Sequence, residues 1–178
     1  ASALAFPFTV IEVVSLGLHQ GSSGQCETVA MAALAKVGLS AYAGRAYQEL
    51  SGGEQQRVQL ARVLAQVWQP VTKDGARWLF LDEPVSALDI AHQLLVMSIA
   101  RDFADQGGGV VAVMHDLNLT AMFSDRITLM SKGFVRASGP VTDVMTDQHL
   151  SNAYHCALGV SRVPTGSVPF VLPQSANV

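Results

Sequence analysis

Several short stretches of this chain carry residue types that suit phosphate chemistry. Ser51-Gly52-Gly53 stands where an apolar helical pattern begins. The first N–H groups of a helix lack partners within it, and the helix dipole leaves partial positive charge there. Two glycines let an anion approach the backbone, and the serine hydroxyl adds a donor, so the stretch can hold a phosphate. It can equally be a capped helix after a glycine turn, because Ser51 and Glu54 have capping-box spacing. Asp82-Glu83 ends the apolar run Trp78-Leu79-Phe80-Leu81. Ligands gather at the carboxyl ends of parallel strands. An Asp there can hold Mg²⁺ through its oxygens, and the adjacent Glu can take a proton from an attacking water. The plain alternative is a polar strand end before the turn at Pro84. His115 follows a second apolar run, Val110 to Met114. It can hydrogen-bond a phosphate or orient the water beside Glu83, or be a satisfied structural histidine. Asp89 can act across a subunit interface or simply cap a helix. Gly107-Gly108-Gly109 lacks the Lys and Ser/Thr of a phosphate loop and reads as a turn.

These residues need elements to place them. Thr9 is positioned to cap a short helix from Val10 to Leu16-Gly17. Gly21-Ser22-Ser23-Gly24 reads as a flexible loop by composition. Ala30, Ala33, Leu34 and Val37 follow helical spacing, with Gly38 as the stop. Ser51 opens a helix whose apolar face carries Val58, Ala61, Ala65 and Trp68. Residues 70–75 read as a loop. The runs 78–81 and 110–114 are short and unbroken, which suggests parallel strands buried on both faces. Asp89 caps the helix between them, and a helix carrying Leu117 and Met122 follows the second. Ser131-Lys132-Gly133 joins a hairpin of 127–130 and 134–137. Pro140 sits at a helix start. The tail from Pro164 is loop-like, with a short edge strand at 168–172. The expected fold class is therefore α/β, with strands and helices alternating in the second half and a helical first half. The expected divisions are a helical subdomain over 1–68, an α/β core portion over 69–160, and a tail over 161–178.

Composition narrows the field. The 178 residues are 49% apolar and 14% charged, as a globular domain with a core requires. A net charge of −3 gives no electrostatic footprint for nucleic acid. No apolar stretch reaches the ~20 residues of a membrane helix. The first ten residues lack the charged n-region of a signal peptide. Cys26 and Cys156 have no metal-ligand spacing and read as reduced cytosolic thiols.

Each stretch alone is weak, but their order is not. Leu50-Ser51-Gly52-Gly53-Glu54-Gln55-Gln56-Arg57 comes first, then the strand with Asp82-Glu83-Pro84, then Ser86-Ala87-Leu88-Asp89, then the strand leading to His115. This resembles the ATP-binding-cassette (ABC) family, with its signature motif, Walker B, D-loop and switch histidine. Within that family, the runs 4–10, 50–66, 70–77 and 169–173 resemble the haem (hemin) import ATP-binding subunits. Siderophore and cobalamin importers use similar ATPases and remain the alternative.

The resemblance implies a RecA-like, mostly parallel sheet with a helical signature subdomain, in an ATPase that energises haem uptake. Two such subunits sandwich two ATPs on the cytoplasmic face of the bacterial inner membrane, beneath permease subunits served by a periplasmic haem-binding protein. Ser51, Gly52, Gly53 and Gln55 would then contact ATP bound by the partner subunit. Asp82 would organise Mg²⁺, Glu83 would be the general base, His115 would sense the γ-phosphate, and Asp89 would couple the two sites. One element of the pattern is missing. No G-x-x-x-x-G-K-[ST] occurs in the 178 residues, and the family's Q-loop glutamine would fall just before Ala1. The chain reads as the C-terminal part of a subunit, cut upstream of its phosphate loop and inactive toward ATP alone. A missing phosphate-loop strand would leave the 78–81 strand with an open apolar edge. Phe6, Phe8 and Val10 would either receive a permease helix or form core. Chromosome-maintenance or repair ABC ATPases would need coiled-coil heptads, and none is present. A non-catalytic half would not need Glu83 and His115. A translational ABC factor would carry a second cassette and a charged linker, and neither is visible.

Overall fold

The computed structural model describes residues 8–18 and 23–176. The chain divides into two compact units, Ala1–Met114 and His115–Val178.

The first unit opens with a cluster of three helices: α1 (Val10–Ser15), α2 (Ser23–Lys36) and α3 (Gly52–Gln66). Thr9 caps α1, and the Glu12 carboxylate accepts from both the Thr9 N–H and its hydroxyl. Helix α2 begins at Ser23, inside the expected loop. Its first-turn N–H groups have no helical acceptor in any case, so Ser and Gly cost little there. The rest of that expected loop, Gly21 and Ser22, lies outside the described residues. The α2 end is locked from a distance: Arg57 of α3, itself buried, donates from Nη1 to the Val37 carbonyl at 3.0 Å. Val10, Val13, Val14, Ala33, Leu34 and Val58 are buried together in this cluster. Val10 is therefore core. Phe8 is half-buried and its carbonyl accepts from the Tyr47 N–H, whereas Phe6 lies outside the described residues.

Two departures from the expected elements follow α3. Residues 70–75 do not form a plain loop: β1 (Val71–Thr72) and β2 (Gly75–Ala76) pair antiparallel. The strands β3 (Trp78–Asp82) and β4 (Gly109–Val113) are parallel and in register, as expected, but only one face is covered. Leu79 is fully buried while Trp78 and Phe80 remain 56% and 72% exposed. Unbroken apolarity cannot reveal this, because side chains alternate faces whatever their type. Among the described residues β3 pairs with β4 alone, so its other edge is open, as expected for 78–81. Helix α4 (Ile90–Asp105) runs between the strands and packs against β4. The glycine run after it is a turn, as expected. Gly107 adopts φ +91° and donates to the Ala104 carbonyl, and Gly108 donates to Phe103, which together close the helix end.

The second unit holds α5 (Leu117–Phe123), β5 (Arg126–Ser131), β6 (Phe134–Pro140), α6 (Val141–Val144) and α7 (Asp147–Tyr154). The expected hairpin is present. Lys132 and Gly133 both have positive φ, 52° and 78°, the geometry of a two-residue turn matched to strand twist. No strand forms at 168–172. Val168 and Val171 are exposed and extend past no neighbour strand, and a single 3₁₀ turn at Pro173–Ser175 ends the tail.

Candidate functional site

The N-terminus of α3 is built from sequence-local contacts. Ser51 is the N-cap, and its hydroxyl oxygen accepts from the Glu54 N–H at 3.3 Å. The Glu54 carboxylate in turn accepts from the Ser51 N–H and hydroxyl, both at 2.8 Å. The Ser51 hydroxyl bond, then its backbone bond, holds the Glu54 carboxyl below its ordinary value. Ser51 and Gly52 are exposed, and a Cβ placed on Gly52 would meet nothing. Gly53 is closer to its surroundings: a Cβ there would lie 3.2 Å from the Ala87 carbonyl oxygen and from Leu88. The start of α3 thus rests against the 86–89 turn. Gln55 is committed to the chain before α3, donating to the Leu50 and Tyr47 carbonyls.

Asp82 ends β3 opposite Val113 of β4, and the Glu83 N–H continues the ladder to the Val113 carbonyl at 3.1 Å. Both carboxylates are exposed. Glu83 has φ +46°, the left-handed region that a non-glycine residue enters at a cost of about 1 kcal/mol or more. Its carbonyl is held by Gln56 Nε2 of α3 at 2.9 Å and by the Ser86 hydroxyl at 3.2 Å. Left-handed backbone on a glutamate at a strand end persists where the surroundings over-determine it.

Asp89 is the N-cap of α4 and accepts from the His92 N–H at 2.9 Å. His92 Nδ1 lies 2.8 Å from both Asp89 carboxylate oxygens. These His92 contacts, backbone first, lower the Asp89 pKa. Asp89 is therefore a cap and also an exposed, orientated carboxylate.

The first unit brings together Ser51 to Gly53, Gln56, Asp82, Glu83 and the 86–89 turn. His115 is exposed, directly after β4, and is the first residue of the second unit. Two residues escaped the sequence reading. Gln56 lay inside the quoted run without a role, since its partner is 27 residues away. His92 stands three residues after Asp89, a spacing that could have marked it. Among the described residues no group of three or more His, Cys, Asp or Glu side chains converges as a metal site, and no helix is long and apolar enough to cross a membrane.

No protein-family model matches the chain. Curated relatives match along nearly all of it. A hemin import ATP-binding protein of Ruegeria sp. (strain TM1040) is 62% identical over 177 residues, covering 99% of this chain and 68% of that protein. One from Jannaschia sp. (strain CCS1) is 61% identical, with 99% and 66% covered. Among solved structures, a metal-chelate type ABC transporter in an inward-facing conformation matches with a TM-score of 0.73 at 28% identity, over 87% of this chain and 61% of that one. A dimeric bacterial ABC transporter cassette matches with a TM-score of 0.65 at 28% identity, over 76% and 58%. The chain thus spans about two thirds of its curated relatives and less of the solved cassettes. The mixed α/β architecture is that of ABC cassettes, and at this identity and coverage the chain belongs to the hemin import ATP-binding proteins, a family of ABC transporter ATPases.

Proposed function

We propose that the chain is the C-terminal part of the ATP-hydrolysing subunit of an importer that energises hemin uptake. It works at the cytoplasmic face of the bacterial inner membrane with a second ATPase subunit, permease subunits and a periplasmic haem-binding protein. The observation that carries this is the junction of α3 with the β3 end. The exposed helix start at Ser51 and Gly52 is tied through Gln56 and Gly53 to the carboxylate pair and the 86–89 turn.

On this reading Ser51, Gly52 and Gly53 complete an ATP site whose phosphate loop belongs to the partner subunit. The chain's own 178 residues contain no G-x-x-x-x-G-K-[ST]. Gln55 holds the approach to that helix start in place. Glu83, exposed and fixed by its backbone, accepts the proton of the attacking water, and His115 orients that water or the γ-phosphate. Asp89 meets the opposite subunit. The donor set suits Mg²⁺ as these sites use it. Asp82 would supply one hard oxygen ligand, of the kind Mg²⁺ takes from a single protein carboxylate beside a bound nucleotide. When bound, Mg²⁺ neutralises charge on the transferred phosphoryl group. Positioning and charge stabilisation therefore carry the catalysis.

The test is Glu83→Gln in the intact subunit with its permease. A general base contributes about 10²–10⁴ in rate, so hydrolysis should fall at least about a hundredfold while ATP binding persists. Retained hydrolysis would exclude Glu83 as base. Stimulation of hydrolysis by cobalamin-loaded rather than hemin-loaded binding protein would overturn the substrate.

A further inference from the structure

A second cluster of unspent donors lies in the second unit, made of residues with no role assigned above. The two-residue turn of the β5–β6 hairpin fixes Lys132 in left-handed backbone, and Arg136 follows on β6 with its guanidinium 5.6 Å from the Phe134 ring. Helix α7 packs across this hairpin. His149, Asn152 and His155 recur on α7 and its cap every three residues, which places them along one side of the helix. Together with Ser131 they line a cleft of ≈ 380 Å³.

Three features of this cleft point to an anion. Every charged or titratable side chain lining it is Lys, Arg or His, in a chain whose net charge is −3. The carboxylate of α7 that lies outside the lining is already satisfied: Asp147 accepts from the Arg162 guanidinium and from the Val160 N–H at 2.8 Å. Among the described residues the side chains of Lys132, Arg136, His149, Asn152 and His155 make no hydrogen bond or ion pair with the protein. A planar carboxylate would be satisfied by the Arg136 fork alone. Donors arriving from a hairpin turn, a strand and a helix side surround a group with acceptors in three dimensions, as a tetrahedral phosphate has.

We propose that this cleft binds a phosphate-bearing ligand, either a soluble phosphate compound or the headgroup of an anionic lipid. Calorimetric titration of the 178-residue chain with pyrophosphate at constant ionic strength provides the test. Saturable binding is expected. Lys132→Gln with Arg136→Gln should weaken it at least about tenfold, since each removes a charge-assisted bond. Both side chains are exposed, so the circular dichroism spectrum and melting temperature should not change. Lys73→Gln with Arg77→Gln serves as the control, because it removes the same two positive charges at exposed positions outside the cleft, and it should leave binding intact. Co-sedimentation with phosphatidylglycerol vesicles separates the sources. Retention that the Lys132 and Arg136 double variant loses assigns the ligand to lipid, and pyrophosphate binding without retention assigns it to a soluble compound. Binding that this variant leaves intact, or that the control pair weakens as much, would overturn the proposal. So would neither pyrophosphate binding nor variant-sensitive vesicle retention.

Discussion

Replacing Gln56 by Met separates the stability of the α3–β3 junction from its function. Gln56 Nε2 donates to the Glu83 carbonyl at 2.9 Å, while its Oε1 is buried without a partner. Losing the bond costs about 0.5–1.5 kcal/mol net, whereas relieving a buried unpaired acceptor returns about 1–3 kcal/mol. Met matches Gln in length and fills the same space. The Glu83 carbonyl keeps the Ser86 hydroxyl at 3.2 Å, so no new orphan is created. The expected change in stability runs from a loss of about 0.5 kcal/mol to a gain of about 2.5 kcal/mol, centred on a gain of about 1 kcal/mol. The backbone of Glu83 fares differently. Its left-handed φ of +46° loses one of the bonds that hold it. About 1 kcal/mol less restraint on a conformation that itself costs about 1 kcal/mol lowers its equilibrium constant roughly fivefold, and hydrolysis falls by up to about threefold from a state that was mostly populated. Urea unfolding measures the first quantity, and single-turnover ATP hydrolysis by the intact subunit measures the second. A stability loss above about 1 kcal/mol, or unchanged hydrolysis, would refute the reasoning.

Two further predictions concern the frame that holds the site. A Cβ on Gly17 would lie 2.2 Å from the Arg62 carbonyl oxygen of α3, whereas one on Gly44 would meet nothing. Gly17→Ala should therefore cost about 1–3 kcal/mol by overpacking, and Gly44→Ala should lie within about 0.5 kcal/mol of the parent in urea melts. Equal midpoints would show that α1 and α3 are not in contact at Gly17. Glu12 and Glu54 have pKa values lowered from the ordinary 4.5 by their Thr9 and Ser51 bonds. Their stabilisation is complete above that ordinary value and is lost as pH falls through the lowered folded values. Stability should thus decline with acid below about pH 4.5, and Glu54→Gln should flatten that decline. An unaltered slope would remove the capping carboxylate from the account.

What the sequence disclosed and what it hid divide by distance along the chain. Thr9 as a cap, Ser51 with Glu54, and Asp89 with the start of α4 were legible because a cap and its partners lie within one helical turn. The order of strand, helix and strand around Asp82 and Val113 was legible for the same reason, since apolar runs and glycine breaks are local. The covered face of β3 was not legible. Trp78, Leu79, Phe80 and Leu81 are all apolar, and only packing in the folded unit determines which of them is buried. The clasp between Gln56 and Glu83 was hidden because α3 and β3 meet only in the folded unit. The β1–β2 hairpin was hidden because two-residue strands carry no period.

If the start of α3 completes a partner's ATP site as proposed, its capping box explains why it suits that task better than a primary ATP site. An incoming phosphate meets the Gly52 and Gly53 backbone, which is open on the Gly52 side. It also meets an anion already in place, because the Glu54 carboxylate accepts both Ser51 donors at 2.8 Å and its pKa is lowered, so it stays charged at neutral pH. Two like charges about 4 Å apart repel by roughly 1 kcal/mol even in water, which is comparable to what a helix N-terminus contributes toward an anion. Phosphate alone therefore gains little here. The balance shifts when the phosphate arrives with cations around it, from Mg²⁺ and the lysine of another subunit's phosphate loop. The Ser51 hydroxyl can then turn from Glu54 to the ligand. On the proposed reading, a helix start that caps itself with its own carboxylate would discriminate against free phosphate and in favour of nucleotide already seated in a partner.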